Sequence, residues 1–194
     1  MNLHADQIQG FFDIPVDHLT AAPVLARHFI RKGIANAVLV SPDVGNIKFG
    51  SDFAARIGCE LAVVHKRRMT GDSARAVSII GNVEGRTVMM FDDMITTAGT
   101  VCEAAKLLRR HGAKDIYVGA AHGVFAGPAV ERFLEADLRE IVVTDTIPVR
   151  PEVKERLGRL TTLSVADLMG EAIRRIHVHQ SVSALFQQAE MGDQ

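Results

Sequence analysis

The stretch 88–100, VMMFDDMITTAGT, constrains the fold and the function of this chain more than any other part of it. Its first four residues are apolar without polar alternation, which predicts a central parallel strand buried on both faces. We expect this strand to end at Phe91 and the chain to leave the sheet there, at the carboxyl edge where open α/β sheets bind ligands. Asp92 and Asp93 would then lie at that edge.

The residues that follow the two acids predict a site for a phosphate-bearing sugar. They are small or hydroxylated: Thr96, Thr97, Ala98, Gly99 and Thr100. They precede CEAAKLLRR, a predicted helix, and backbone N–H groups at the start of a helix bind phosphate. The alternative is that the acids and threonines only cap this helix. One cap does not need all of them, and two adjacent acids repel each other until a hydroxylated ligand or a cation relieves the repulsion.

The rest of the chain alternates between predicted strands and helices. Strands are predicted at NAVLVS, ELAVVH, DIYVGAAH, REIVVTDTIP and LTTLSV, and helices at APVLARHFIRK, KFGSDFAARIG, GPAVERFLEA and ADLMGEAIRRIHVH. This alternation predicts an α/β fold with a mainly parallel sheet flanked by helices. The segment 66–75, KRRMTGDSAR, has no period and predicts a mobile loop or hairpin.

Composition limits the class of protein and of partner. With 47% hydrophobic residues in 194, the chain can bury a full core. A formal charge of -1 gives no basic field for nucleic acid, and no apolar run reaches the roughly 20 residues of a membrane helix. Only Cys59 and Cys102 are present, so a disulfide framework is not expected. We therefore expect a cytoplasmic protein that acts on a small molecule.

Two further motifs follow predicted strands at the same edge of the sheet. Asp43, Val44 and Gly45 lie in the turn SPDVG, and Gly45 can adopt the positive φ that brings N–H groups close to an anion. Taken alone, such a turn indicates structure more often than binding. Lys66 and Arg68 belong to the charge run KRR, which elsewhere would be a solvated patch. At this edge, cations suit the negative charge that develops during phosphoryl transfer.

Taken in order, these motifs resemble those of the ribose-phosphate pyrophosphokinases (PRPP synthetases), in the type I phosphoribosyltransferase superfamily. The similar segments include HADQIQGFFDIP, SPDVG, HKRR, IIGNVEGR, FDDMITTAGT, VERF and VVTDTIP. The resemblance implies a type I phosphoribosyltransferase-like α/β fold and a homo-oligomer. It implies a reaction in which the diphosphoryl group of ATP moves to ribose 5-phosphate, giving PRPP and AMP, with Mg²⁺ as the cofactor.

The resemblance also implies a role for each motif. Lys66 and Arg68 would be the catalytic cations of a flexible loop. Ribose 5-phosphate would be bound by two acids and the loop after them, namely Asp92, Asp93, Thr96, Thr97, Ala98, Gly99 and Thr100. Pyrophosphate would be bound by the turn Asp43, Val44 and Gly45, and Mg²⁺ by His4 and Asp43. His122 is interpreted as structural.

The chain departs from the family pattern in several places. Asn46 replaces a glycine of the pyrophosphate turn, and Thr96 replaces an acid. Residues 1–20 are interpreted as the end of an amino-terminal domain that is missing, 21–185 as the phosphoribosyltransferase-like domain, and 186–194 as a flexible tail. Two alternatives remain: a non-catalytic or truncated subunit that binds PRPP or ribose 5-phosphate, and a phosphoribosyltransferase that uses PRPP. The HADQIQGFF and KRR segments argue against the second.

Overall fold

The computed structural model describes residues 1–42, 47–67 and 76–187. In these ranges, seven strands form one sheet. In chain order they are β1 (Ala37–Ser41), β2 (Glu60–Arg67), β3 (Ala76–Ile80), β4 (Thr87–Ile95), β5 (Asp115–Gly123), β6 (Glu140–Thr144) and β7 (Leu160–Leu163). Their spatial order is β3-β2-β1-β4-β5-β6-β7. All neighbours are parallel except β2 and β3, so the predicted mainly parallel sheet is confirmed.

Helices connect the strands, as crossovers between parallel neighbours require. They are α1 (Ala22–Lys32), α2 (Ile47–Ile57), α3 (Gly99–Arg110), α4 (Ala129–Glu135), α5 (Pro151–Arg156), α6 (Ala166–His177) and α7 (Ala184–Gln187), with a 3₁₀ helix at Asp6–Phe11. Gly33 ends α1 in the left-handed conformation, with φ 58°. The first two residues of the predicted flexible tail are helical, because α7 extends to Gln187. Within the described ranges, no helix combines the length and apolarity needed to cross a bilayer.

The central strand β4 carries both halves of the core. Val88 and Met90 join a cluster that includes the buried residues of α3 and α4, whereas Met89 and Phe91 join a cluster on the opposite face with α1 and α2. All four are at most 3% exposed. The predicted strand buried on both faces is therefore confirmed, and it fixes the layer order helix, sheet, helix.

The prediction that this strand ends at Phe91 is wrong. β4 continues to Ile95, and its pairing with β5 extends to Ile95 opposite Gly123. The pairing with β1, by contrast, reaches only Met90 opposite Val40. The acids at 92 and 93 thus belong to a strand whose neighbour on one side has already ended. Because β1 has ended, the two acids lie at the carboxyl edge of the sheet on that side although they are part of β4, and both are half-buried.

The prediction for the segment 66–75 needs a similar correction. β2 does not end at His65 but continues to Arg67, and it pairs antiparallel with β3, with Lys66 opposite Val77. The backbone of Lys66 is therefore part of a strand rather than the start of the loop. The antiparallel pair agrees with the hairpin alternative, and residues 68–75, including Arg68, lie outside the described residues.

Candidate functional site

The helix α3, which follows the loop after β4, has no side-chain hydrogen bond at its N-cap. Ala98 occupies the N-cap position with φ 58° and ψ 10°, and no side chain bonds there. The first turn of α3 contains no acid. The interpretation that the acids and threonines merely cap this helix is therefore wrong. A non-glycine residue in the left-handed region costs about 1–2 kcal/mol, and such strain is concentrated at functional sites.

The segment 124–132 holds one side of this loop. It donates hydrogen bonds to three successive carbonyls. The N–H groups of Val124 and Phe125 donate to the carbonyl of Ile95 at 3.0 and 3.1 Å. The Ala126 N–H donates to the carbonyl of Thr96 at 2.9 Å, and the Arg132 guanidinium donates to that of Thr97 at 2.8 Å. On the other side, the N–H groups of residues 97–101 donate to no acceptor in the described part of the chain. The loop thus presents several free donors at the positive end of α3, the arrangement that binds phosphate.

The two acids turn part of their carboxylates toward the backbone. Asp92 Oδ1 accepts from the N–H of Asp93 at 2.9 Å, and Asp93 Oδ1 accepts from the N–H of Met94 at 2.7 Å. The second oxygen of Asp93 accepts from His4 Nδ1 at 2.6 Å. These bonds orient the pair without covering it, since the Asp93 side chain is 25% exposed and that of His4 74% exposed.

The pairing of His4 with Asp93 changes the pKa of both groups. Burial raises the pKa of Asp93, but the hydrogen bonds that it accepts, first of all from His4, outweigh burial and hold this pKa below its usual range. The hydrogen bond to Asp93 raises the pKa of His4, and the charge of Asp93 adds to the rise. The two side chains therefore favour an imidazolium facing a carboxylate.

Hydrogen bonds fix the first residues of the chain in the position that brings His4 to the edge of the sheet. Asn2 Oδ1 accepts from the Ala21 N–H at 2.6 Å, and the Leu3 N–H donates to His18 Nε2 at 2.9 Å. His122 Nε2, at the end of β5, lies 3.1 and 3.2 Å from the carbonyl oxygens of Met1 and Asn2. The interpretation of His122 as structural stays a prediction, and its contacts with the first residues of the chain were not foreseen from the sequence.

Several predicted site residues lie beyond what the structure describes. Asp43, Val44 and Gly45 fall in the gap 43–46, and only the backbone of Lys66 is described. In the described ranges, no group of three His, Cys, Asp or Glu side chains could hold a metal ion by itself. The site of Mg²⁺ at His4 and Asp43 therefore stays a prediction.

One residue of this site was missed by sequence reasoning. Arg132 lies on α4 and is half-buried beside the loop, 35 positions after the residue whose carbonyl it binds. Its only signal in the sequence is its place in the family-like segment VERF, which says nothing about contacts. The packing of α4 against α3 brings Arg132 to the loop.

Comparison with known proteins identifies the family. Residues 66–187 match the family described as the phosphoribosyl synthetase-associated domain. The ribose-phosphate pyrophosphokinase of Rhodopirellula baltica is 52% identical over 191 residues, covering 97% of this chain and 60% of that protein. The corresponding protein of Synechococcus elongatus is 47% identical over 188 residues, covering 96% of this chain and 56% of that protein. The chain thus spans somewhat more than half the length of these curated relatives.

A solved structure agrees with this assignment. The crystal structure of phosphoribosylpyrophosphate synthetase from Mycobacterium smegmatis matches with a TM-score of 0.80 and 39% identity, covering 91% of this chain and 57% of that one. The predicted type I phosphoribosyltransferase-like α/β fold is confirmed. The chain therefore belongs to the phosphoribosyl synthetase-associated domain family and is a relative of the ribose-phosphate pyrophosphokinases.

Proposed function

We propose that this chain binds ribose 5-phosphate and transfers the diphosphoryl group of ATP to it, giving PRPP and AMP. The observation that carries the proposal is the start of α3, where the N–H groups of residues 97–101 have no acceptor among the described residues and lie beside two half-buried acids. This site occurs in a chain that is 52% identical to a ribose-phosphate pyrophosphokinase over 97% of its own length and 60% of the length of that protein. A phosphate cradle next to acceptors for hydroxyl groups suits a phosphorylated sugar.

The sugar phosphate would occupy both parts of the site. The free N–H groups at the start of α3 would donate to the 5-phosphate, and the helix dipole would favour its negative charge. The hydroxyls of Thr97 and Thr100 add donors beside them. Asp92 and Asp93 would accept hydrogen bonds from the ribose hydroxyls, and the low pKa of Asp93 keeps it an acceptor at neutral pH. Lys66 lies on β2, which only β1 separates from β4 in the sheet.

In the transfer step, the 1-hydroxyl oxygen forms a bond to the β-phosphorus of ATP. The bond from that phosphorus to the oxygen bridging the α- and β-phosphates breaks, AMP leaves with the bridging oxygen, and the hydroxyl loses its proton. Lys66 and Arg68 would face the negative charge that develops on the transferred group.

The donor groups at the edge fit Mg²⁺ bound together with a nucleotide. This ion takes one or two carboxylates and completes its shell with phosphate oxygens and water, so a closed protein cage is not required. Asp93 offers an ionised carboxylate, and Asp43 would offer a second. His4 would join them through Nε2 after that nitrogen loses its proton, because a metal ligand must be deprotonated, and Nδ1 would keep its hydrogen bond to Asp93. When bound, Mg²⁺ supplies charge neutralisation on the phosphates.

The test is formation of AMP and PRPP from ATP, ribose 5-phosphate and Mg²⁺ by the purified chain. We expect turnover in the unmodified chain and in Lys154→Ala, a control at an exposed lysine on α5, and a loss of about 100-fold or more in Lys66→Ala. Binding of ribose 5-phosphate without AMP formation would instead support a non-catalytic subunit. Release of pyrophosphate from PRPP that depends on an added base would support a phosphoribosyltransferase. Absence of ribose 5-phosphate binding would refute the proposal.

We propose in addition that the chain acts as a homo-oligomer. Large apolar side chains are exposed on the amino-terminal segment, where Phe11 is 86% and Ile14 71% exposed, and on α6, where Ile173 is 63% exposed. Ile14 and Ile173 line the same groove, of about 480 Å³. Contiguous apolar surface of this kind is typical of protein interfaces. Light scattering should give a mass that is a multiple of the 21.1 kDa chain, and a monomer at micromolar concentration would contradict the proposal.

A further inference from the structure

Arg132 lies against the loop between β4 and α3, beside the loop residue in the left-handed conformation. Its Nη1 donates to the carbonyl of Thr97 at 2.8 Å. The same nitrogen lies 3.1 Å from the point where a Cβ would stand on Gly99. Between these two residues is Ala98, the N-cap of α3, with φ 58°. Arg132 therefore bonds to the residue directly before the left-handed one and lies close to the glycine directly after it.

The bond to Thr97 determines where the next N–H group points. A peptide unit is planar and trans, so a carbonyl and the N–H that follows it point in opposite directions. Holding the Thr97 carbonyl against α4 turns the N–H of Ala98 away from α4. The Ala126 bond to the carbonyl of Thr96 does the same for the N–H of Thr97. Arg132 thus contributes the last of the contacts that turn successive N–H groups to the open side of the loop, and among the described residues it is the only side chain that makes one.

The charge of Arg132 is also placed where it favours an anion. Among the described residues, no carboxylate forms an ion pair with it, whereas its neighbour Glu131 pairs with Arg156 at 3.0 Å. The guanidinium lies beside the N-terminal end of α3, which is itself positive, and no acid in the first turn of α3 offsets either charge. A phosphate bound to the loop would relieve the resulting repulsion.

We infer that Arg132 is a positioning residue for the 5-phosphate of ribose 5-phosphate. It favours binding of this phosphate in two ways: its hydrogen bond fixes the Thr97 carbonyl, and its positive charge lies behind the loop. The inference rests on the proposed function, since it names the group that organises the same site. It does not require Arg132 to touch the phosphate.

The test compares Arg132→Ala with Arg132→Lys, which keeps the charge and a donor, and with Arg156→Ala as a control for loss of a nearby arginine. Isothermal titration of ribose 5-phosphate should show a Kd about 10-fold or more higher in Arg132→Ala, as for loss of a charged hydrogen bond. Arg132→Lys should recover most of this affinity, and Arg156→Ala should match the unmodified chain. Equal Kd values for Arg132→Ala and Arg156→Ala would overturn the inference. Should Arg132→Ala not fold, Arg132→Gln takes its place in the same comparison.

A second measurement separates this inference from the proposed function. In the protein without ligand, amide hydrogen exchange at Ala126 and Cys102, which donate to the carbonyls of Thr96 and Ala98, should be at least about 10-fold faster in Arg132→Ala than in Arg156→Ala. Failure of the unmodified chain to bind ribose 5-phosphate would refute the proposed function, and the exchange result would still decide whether Arg132 holds the loop. Unchanged exchange at both amides would refute its holding role.

Discussion

Replacement of Gly119 by alanine tests the packing of the Phe91 ring, which lies next to the two acids of the site. Gly119 lies on β5 directly opposite Phe91 on β4. A Cβ added at Gly119 would stand 2.2 Å from Cε1 and 2.4 Å from Cδ1 of the Phe91 ring. Phe91 is 3% exposed and directly precedes the two acids in the chain, so the ring cannot move aside without disturbing the core or the edge of the sheet.

The size of the effect follows from the contacts of this ring. Phe91 stacks on Phe53 with ring centroids 4.0 Å apart and meets Phe29 edge-on at 5.1 Å. Each aromatic pair contributes roughly 0.5–1.5 kcal/mol beyond the area that it buries. Overpacking of a core costs about 1–3 kcal/mol, and a contact as short as 2.2 Å belongs at the upper end of that range. We therefore expect Gly119→Ala to lower the free energy of unfolding by about 3 kcal/mol, which is roughly 6–12 °C in Tm for a chain of this length.

The chain has no tryptophan, so unfolding in urea is best followed by circular dichroism. Gly170→Ala is the matched control: it lies within α6 with nothing within 4 Å of the added methyl group, and it should stabilise the protein by about 0.5–1 kcal/mol. Phe91→Leu, combined with Gly119→Ala, should recover part of the loss, as expected for residues in contact. A loss below about 1 kcal/mol in Gly119→Ala would contradict this prediction, because it would mean that the Phe91 ring relaxes freely.

Three other predictions concern single groups. Asp93→Asn should lower the pKa of His4 toward its ordinary 6.5 in an NMR titration. Because the folded-state pKa of His4 is raised, the stability that the His4–Asp93 pair contributes is full below pH 6.5 and is lost as the pH rises through the folded-state pKa. A difference in Tm between the two proteins that does not change with pH would contradict the pairing. Burial raises the pKa of Cys102 to about 11, so iodoacetamide at pH 8 should alkylate this thiol far more slowly in the folded than in the urea-unfolded chain, as mass spectrometry would show. Thr144→Val removes a buried hydroxyl that donates to the carbonyl of Ala121 at 2.6 Å and should cost about 1 kcal/mol in urea unfolding; no loss would mean that the remaining donor, Thr146, suffices.

Much of the fold follows from local patterns in the sequence. The apolar run before the acids predicted the doubly buried strand β4, and the alternation of strands with helices predicted the mainly parallel sheet. The sequence patterns missed α5 and the 3₁₀ helix, and they placed the ends of β4 and β2 too early. β4 and β2 continue past their apolar runs into charged residues, because pairing with β5 and β3 satisfies their backbone groups there. Hydrophobic periodicity does not detect such pairing, since it reports burial of side chains only.

The amino-acid sequence alone reveals which groups the site can use, namely the acids and the small residues of the loop, and the order of its motifs indicates the family. Which of these groups meet depends on the tertiary structure. It brings His4 to Asp93 across 89 positions and Arg132 to Thr97 across 35, and it turns the loop carbonyls inward so that the N–H groups of residues 97–101 have no acceptor in the described ranges. The physical reason is that propensity and motif spacing act within one element. Contacts between distant residues depend instead on strand order, on where neighbouring strands end and on how the helices pack against the sheet.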